Sequence, residues 1–155
     1  MKYTFLILAV LGIVVSSLAL REHYREYGDS PCSINERWDC GVVNHSPFAI
    51  LGGVFDQMGF HAHIPLVSNL PVATAGILGY LVMGFFAFRR QYRLLLAFVL
   101  VSLAFSLYLA NIEAHVLGVW CVYCVISLGI ISLMTLLGLG TVITQLVRKP
   151  SARTA

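Results

Sequence analysis

Four cysteines could carry chemistry in this sequence. Two of them lie in Cys121-Val-Tyr-Cys124. On a helix, positions i and i+3 share a face. If a helix starts at this point, the pair occupies its first turn, where unpaired N–H groups and the helix dipole favour a thiolate. A low-pKa thiol leaves readily and is ionised enough to attack. A bridge within one helical turn closes a tiny loop and makes a poor staple, so this spacing points to thiol–disulfide exchange. The other two cysteines bound Cys32-Ser-Ile-Asn-Glu-Arg-Trp-Asp-Cys40, a polar segment expected to be an exposed, flexible turn that a soluble protein can approach. A loop pair and a helix-anchored pair make a two-stage relay, with electrons entering at the loop and leaving at the helix. Four cysteines allow three pairings. Two structural disulfides and a four-cysteine zinc site are the competing readings, although the eight-residue offset fits zinc knuckles poorly.

The elements that must position these residues are membrane helices. Of 155 residues, 59% are hydrophobic and 11% charged, against roughly 45–50% and 25% in soluble domains. Mean hydropathy is +0.85. That much apolar surface cannot be hidden in a soluble fold of this size, which excludes a soluble enzyme, a disordered chain and a small secreted disulfide scaffold. The net charge of +3 comes from ten basic residues scattered at segment ends, so no nucleic-acid face is expected. Four stretches lack charge for long enough to cross a bilayer: 3–20, 70–88, 94–112 and 120–147. In lipid each must satisfy its own backbone, so each is helical. The expected fold is an all-α integral membrane protein, a four-transmembrane-helix bundle over residues 1–147 with a long outer loop, 21–69, and a polar tail at 148–155. One chain suffices for such a bundle, so a monomer is expected.

Basic residues orient it. Arg89, Arg90 and Arg93 lie between spans two and three, Arg148, Lys149 and Arg153 follow span four, and Lys2 precedes span one. By the positive-inside rule these sites are cytoplasmic. Both termini are then inside, and all four cysteines face outward from an inner (plasma) membrane, where disulfides persist. Ser17-Leu18-Ala19 resembles a signal-peptide cleavage site, but the apolar run before it exceeds the ~7–15 residues of a signal h-region, so an uncleaved anchor is expected.

A long loop in so small a protein suggests function. Arg21 to Tyr27 could extend span one by two turns, until Gly28-Asp29-Ser30-Pro31 breaks it. Ser46-Pro47 has the form of a helix start, with Ser as N-cap and Pro at the first helical position. The apolar run Phe48–Phe55 is too short to span and is expected to lie as an interfacial helix over the mouth of the bundle. His61 and His63 read as solvated loop residues, Glu113 and His115 as polar residues at a span end, and Trp120 as an interfacial belt residue. Gly76, Gly79 and Gly84 are expected to allow close helix contact.

Cys32-x7-Cys40, then Ser46 six positions on, then a membrane span, then Cys121-x2-Cys124 opening the last span: this arrangement resembles the vitamin K epoxide reductase family over nearly the whole chain. It departs from the DsbB family, whose first pair is a CxxC and whose second is more widely spaced. The resemblance implies a four-helix bundle around a quinone, ubiquinone or menaquinone. It implies that Cys121 and Cys124 are the active-site pair, with Cys124 facing the quinone. It implies that Cys32 and Cys40 take electrons from a separate thioredoxin-like or DsbA-like protein, and that Cys40 bridges transiently to Cys121. Ser46 matches the serine of the covering helix, which also brings Phe48 to the quinone, and Asn69 is aligned with an asparagine that bonds the quinone carbonyl. Leu128 stands where vertebrate members carry a tyrosine linked to the vitamin K pocket. Quinone reduction in support of disulfide formation in exported proteins is therefore expected ahead of epoxide reduction. A non-enzymatic membrane subunit stapled by disulfides is the alternative.

Overall fold

Long runs of Leu, Val, Ile, Ala and Phe without charge leave the backbone only one local way to satisfy its polar groups in an apolar medium, and helices result. The computed structural model describes residues 1–26, 32–59 and 65–148. Along these the chain forms α1 (Lys2–His23), α2 (Cys40–Asn44), a 3-10 turn (Pro47–Ala49), α3 (Leu51–Gln57), α4 (Pro65–Ser68), α5 (Val72–Phe88), α6 (Tyr92–Ile112), a π-helical turn (Glu113–Leu117) and α7 (Val122–Arg148). Among the described residues there is no strand; pairing is confined to the bridges Asn35/Trp38, Trp38/Trp120 and Ile50/Pro71.

Three helical stretches, Lys2–His23, Tyr92–Leu117 and Val122–Val147, are long and apolar enough to cross a membrane. Val72–Phe88 is as apolar but has 17 residues, about 26 Å at 1.5 Å each. α1 packs on α5 and α7, and α6 packs on α7 and α5. All four helices feed one core: Phe5 and Leu8 from α1, Tyr80, Met83 and Ala87 from α5, Leu95 and Val99 from α6, and Ile131 and Met134 from α7. Their outward faces are also apolar, with Ile7, Val10, Leu81, Phe85, Val101, Leu107, Leu136 and Ile143 exposed. In water such a surface would drive aggregation; against lipid tails, as apolar as Leu, it costs nothing.

Close approach of α1 and α5 depends on glycine. A Cβ at Gly12 would collide with the Tyr80 ring, and one at Gly76 would stand 2.9 Å from Ser16 Oγ. Gly84 lies against Ala9 in the same seam. Gly79 does not share this role: nothing lies within 4 Å of its Cβ position, and it faces a cavity. Gly12→Leu is therefore expected to displace Tyr80 and cost about 1–3 kcal/mol by overpacking, read as a lowered unfolding temperature in detergent. Gly79→Ala, filling open space, leaves that temperature unchanged.

Several boundaries differ from expectation. α1 ends at His23, one turn past the apolar run, where the Tyr24 N–H turns back to Arg21 O at 3.3 Å. The breaker at 28–31, the two histidines at 61 and 63 and the tail beyond 148 lie outside the described residues. The segment expected as one interfacial helix is broken at Ile50, which is extended (φ −112°, ψ 148°) and pairs with Pro71 while the Leu51 N–H bonds Leu70 O at 2.9 Å. A 3-10 turn and α3 take its place. The connection from Glu113 continues α6 as a wider turn, ended by Gly118 in the left-handed region (φ 69°) that glycine adopts without strain.

Candidate functional site

The loop pair is held by backbone bonds to the chain just ahead of α7. The Trp120 N–H donates to Arg37 O at 2.8 Å, and the Asp39 N–H donates to Trp120 O at 3.1 Å. Asn35 Oδ1 accepts from the N–H groups of Arg37 (2.9 Å) and Trp38 (3.1 Å), folding the tip into a tight turn. Asp39 then caps α2, accepting from the Val42 N–H at 3.1 Å and from the Ser33 hydroxyl at 2.7 Å. The Ser33 bond, opposed by partial burial and aided by the Val42 and Gly41 N–H groups, holds the Asp39 carboxyl below its usual range.

The tip of the turn, 33–37, is exposed as expected, but the two cysteines that bound it are not. Cys32 and Cys40 form a disulfide with Cα atoms 5.7 Å apart, and Cys32 is 8% exposed and Cys40 not at all. The reason is that Cys40 is the first residue of α2, and α2 lies against α1. Both cysteines join Cys121 and Val43 in one buried cluster, with Cys124 packed against it. The fold thus brings the loop pair to the inner pair.

Cys121 precedes α7, whose first residue is Val122, and its carbonyl accepts the Val125 N–H at 3.1 Å. The pair therefore straddles the helix start. Cys121 is fully buried, Cys124 is half-buried, and both are free thiols. The Cys124 side chain beside it, helped by N–H groups of the first turn and opposed by burial and the Glu113 charge, holds the Cys121 thiol below its ordinary value. A thiol so tuned is a good leaving group in exchange.

Two buried polar side chains flank the pairs. Asn44, one α2 turn after Cys40, donates from Nδ2 to Cys40 O at 2.8 Å and to Cys121 Sγ at 3.7 Å. His23 donates in turn to Asn44 O at 2.7 Å. Asn44 thus joins both pairs, a role the sequence reading did not assign. Its signal was the four-residue offset from Cys40, which puts both on one helix face. Glu113, read from sequence as a polar residue at a span end, is 3% exposed. Its Oε2 accepts the Cys121 N–H at 3.0 Å, and its carboxyl faces the Cys124 thiol. His115 is exposed and bonds only locally, to Asn111 O at 3.2 Å.

Beyond Cys124 lies a cavity of about 390 Å³ walled by α1, α5, α6 and α7. Most of its lining is apolar, including Val15, Met83, Phe105, Leu128 and Ile131. Its polar groups are few: Cys124, Asn44, Ser46, Glu113 and Tyr80 among them. Phe48, Ala49 and Phe55 line it from the 3-10 turn and α3. An apolar hollow with a few convergent polar groups is the usual form of a small-molecule site. Ser46 is on this wall, although its hydroxyl donates back to Val43 O at 2.8 Å and does not cap the following turn. Asn69 is not on it. It stands exposed in the turn between α4 and α5, and the amide nearest the cysteines is that of Asn44.

The arrangement places a disulfide, a thiol pair and a mainly apolar cavity in series, which suits stepwise passage of two electrons. No curated protein matches the chain. The family model described as the vitamin K epoxide reductase family matches residues 3–139, a stretch that takes in both cysteine pairs and most of the cavity wall, and the chain belongs to that family.

Proposed function

We propose that this membrane protein is a quinone-dependent thiol–disulfide oxidoreductase, one that reoxidises a thioredoxin-like or DsbA-like protein and so supports disulfide formation in exported proteins. The observation that carries the reading is the burial of the Cys32–Cys40 disulfide against Cys121, with Cys124 on the wall of the cavity. In this reading Val72–Phe88 is a fourth, short span, the arginine turn 89–93 is cytoplasmic, and the cysteine end of the bundle faces outward.

The cavity suits a quinone ring in size and polarity: its walls are mainly apolar with a few polar groups, and Asn44, Ser46 and Phe48 among its lining residues are the ones we assign to hold the ring. A bound quinone supplies an acceptor for two electrons and two protons. Leu128, one turn past Cys124, lines the same wall with an alkyl chain. It offers no hydroxyl for an epoxide oxygen, which favours plain quinone reduction.

The chain's own steps are exchanges between sulfurs. A partner thiolate attacks Cys32, and Cys40 leaves as thiolate. Cys40 attacks Cys121 of the oxidised inner pair, and Cys124 leaves as thiolate at the cavity wall. The partner's second thiol releases Cys32, which attacks Cys40 and frees Cys121. The end state has the loop pair bonded and the inner pair reduced, the state found in the structure.

The test is an assay in detergent with a reduced thioredoxin-like donor and a soluble quinone analogue, followed by quinone absorbance. Donor-dependent turnover is expected. If folded protein with accessible thiols reduces no quinone from any dithiol, the oxidoreductase reading fails and the cysteines are structural.

A further inference from the structure

We infer that Glu113 is the proton carrier of the inner cysteine pair: it takes the proton from Cys124 Sγ when the pair is oxidised and passes it into the cavity. The inference rests on the oxidoreductase reading but concerns a residue to which that reading gives no task.

Three observations place it there. Glu113 is buried, at 3% exposure. It is tied to the pair, through the Cys121 N–H at 3.0 Å on Oε2 and through its contact with Cys124. It also lines the cavity that Cys124 lines. Burying a carboxyl is costly unless it is well partnered. An amide N–H needs only a neutral acceptor, so satisfying Cys121 does not by itself call for an acid. Among the described residues, the ionisable side chain that acts on Glu113 is Cys124, while Cys121 acts on it through its backbone N–H. Those acting on Cys124 are Cys121 and Glu113. Tyr80 and Tyr123 lie further round the wall. Two neighbouring groups that would repel each other as anions titrate as a unit and share one proton. The shared states are thiol with carboxylate and thiolate with carboxylic acid.

The balance is simple. Forming the Cys121–Cys124 bond removes two electrons and two protons from the two thiols, and reduction of a quinone to quinol consumes both. The Glu113 carboxylate accepts the Cys124 proton, leaving a thiolate that can give up its electron pair. The Glu113 acid then yields that proton to an acceptor oxygen in the cavity and returns to carboxylate. The second proton leaves Cys121 as its sulfur closes on Cys124.

A shared proton has a signature that needs neither quinone nor donor. In fully reduced protein, the rate of Cys124 alkylation by iodoacetamide, with the adduct located by fragmentation mass spectrometry, should rise with pH in two steps separated by a plateau. On the plateau the fraction of thiolate with carboxylic acid is constant. In Cys121→Ser the two steps should persist, because the lower one belongs to the carboxyl. In that Cys121→Ser background, which removes the coupling between the two thiols, adding Glu113→Gln, which keeps an oxygen for the backbone N–H at position 121, should abolish the plateau and leave a single step. In the quinone assay Glu113→Gln should lower kcat roughly 10²-fold, the lower range for a lost general acid–base group, with KM for the quinone analogue unchanged. A single-step profile in Cys121→Ser, or the same two steps in Cys121→Ser with Glu113→Gln, overturns the inference. Because alkylation involves no quinone, absence of turnover in the wild type would count against the oxidoreductase reading and leave this result to stand or fall separately.

Discussion

Cys124→Ala is expected to abolish quinone reduction with every donor and to trap a Cys40–Cys121 disulfide. The loss should be at least roughly 10³-fold, as when a reacting nucleophile is removed from other enzymes. The argument is one of position. Cys124 is the cysteine on the cavity wall, so without it no sulfur can pass electrons to a molecule bound there. Its removal leaves Cys121 with only the sulfurs of the loop pair, which share its buried cluster, and of these Cys40 is the one that Asn44 ties to it. Reduction of the loop pair frees Cys40, and reoxidation then joins Cys40 to Cys121. Proteolysis without reductant should yield the peptides around residues 40 and 121 linked. A purely structural cysteine behaves otherwise: its loss lowers the unfolding temperature and leaves Cys32–Cys40 as the bridge found. Recovery of only that bridge from folded Cys124→Ala protein would show that the two pairs do not exchange.

The parts of this molecule governed by local rules were legible in its sequence. Charge-free runs set the long helices, because length and composition alone decide whether a segment can satisfy its backbone in lipid. The spacing of Cys121 and Cys124 likewise points to exchange chemistry on its own. What could not be read was contact between distant segments. Cys32 and Cys40 sit in a polar stretch that looks solvated. They are buried because the Trp120 N–H and carbonyl bond the backbone at Arg37 and Asp39, and nothing in either segment announces that pairing.

The same holds for the two polar residues nearest the sulfurs. Asn44 and Glu113 are ordinary by type, and only the folded chain makes Asn44 a neighbour of both pairs and Glu113 a neighbour of the inner one. Local pattern also misled where two rules competed. Ser46-Pro47 has the form of a helix start, and a helical turn does follow. However, the extended Ile50, pinned to Pro71, limits it to three residues. The Ser46 hydroxyl turns back to Val43, and the amide of the site comes from α2 and not from Asn69.

Burial of the pairs also sets how their single mutants should differ, and this gives the second large effect. Cys32→Ala should lose turnover with a protein donor but recover a substantial part of it with dithiothreitol, whereas Cys40→Ala should lose turnover with both. Cys32 is the more exposed of the loop pair, at 8% against 0% for Cys40, and Cys121 is 0% exposed as well. A protein donor must therefore begin at Cys32. In Cys32→Ala the free Cys40 still attacks Cys121, and loss of the Cys32 sulfur that is bonded to Cys40 uncovers Cys40 Sγ, so a small dithiol can cleave the Cys40–Cys121 bridge there and reduce Cys40 again. In Cys40→Ala no sulfur remains beside Cys121, and an external thiol must reach a sulfur with no exposed surface. Both assays use the same protein, quinone analogue and detergent, so their ratio cancels differences in quinone access. Equal rescue of the two variants by dithiothreitol would mean that the inner pair is open to small thiols directly and that Cys40 is not an obligatory relay.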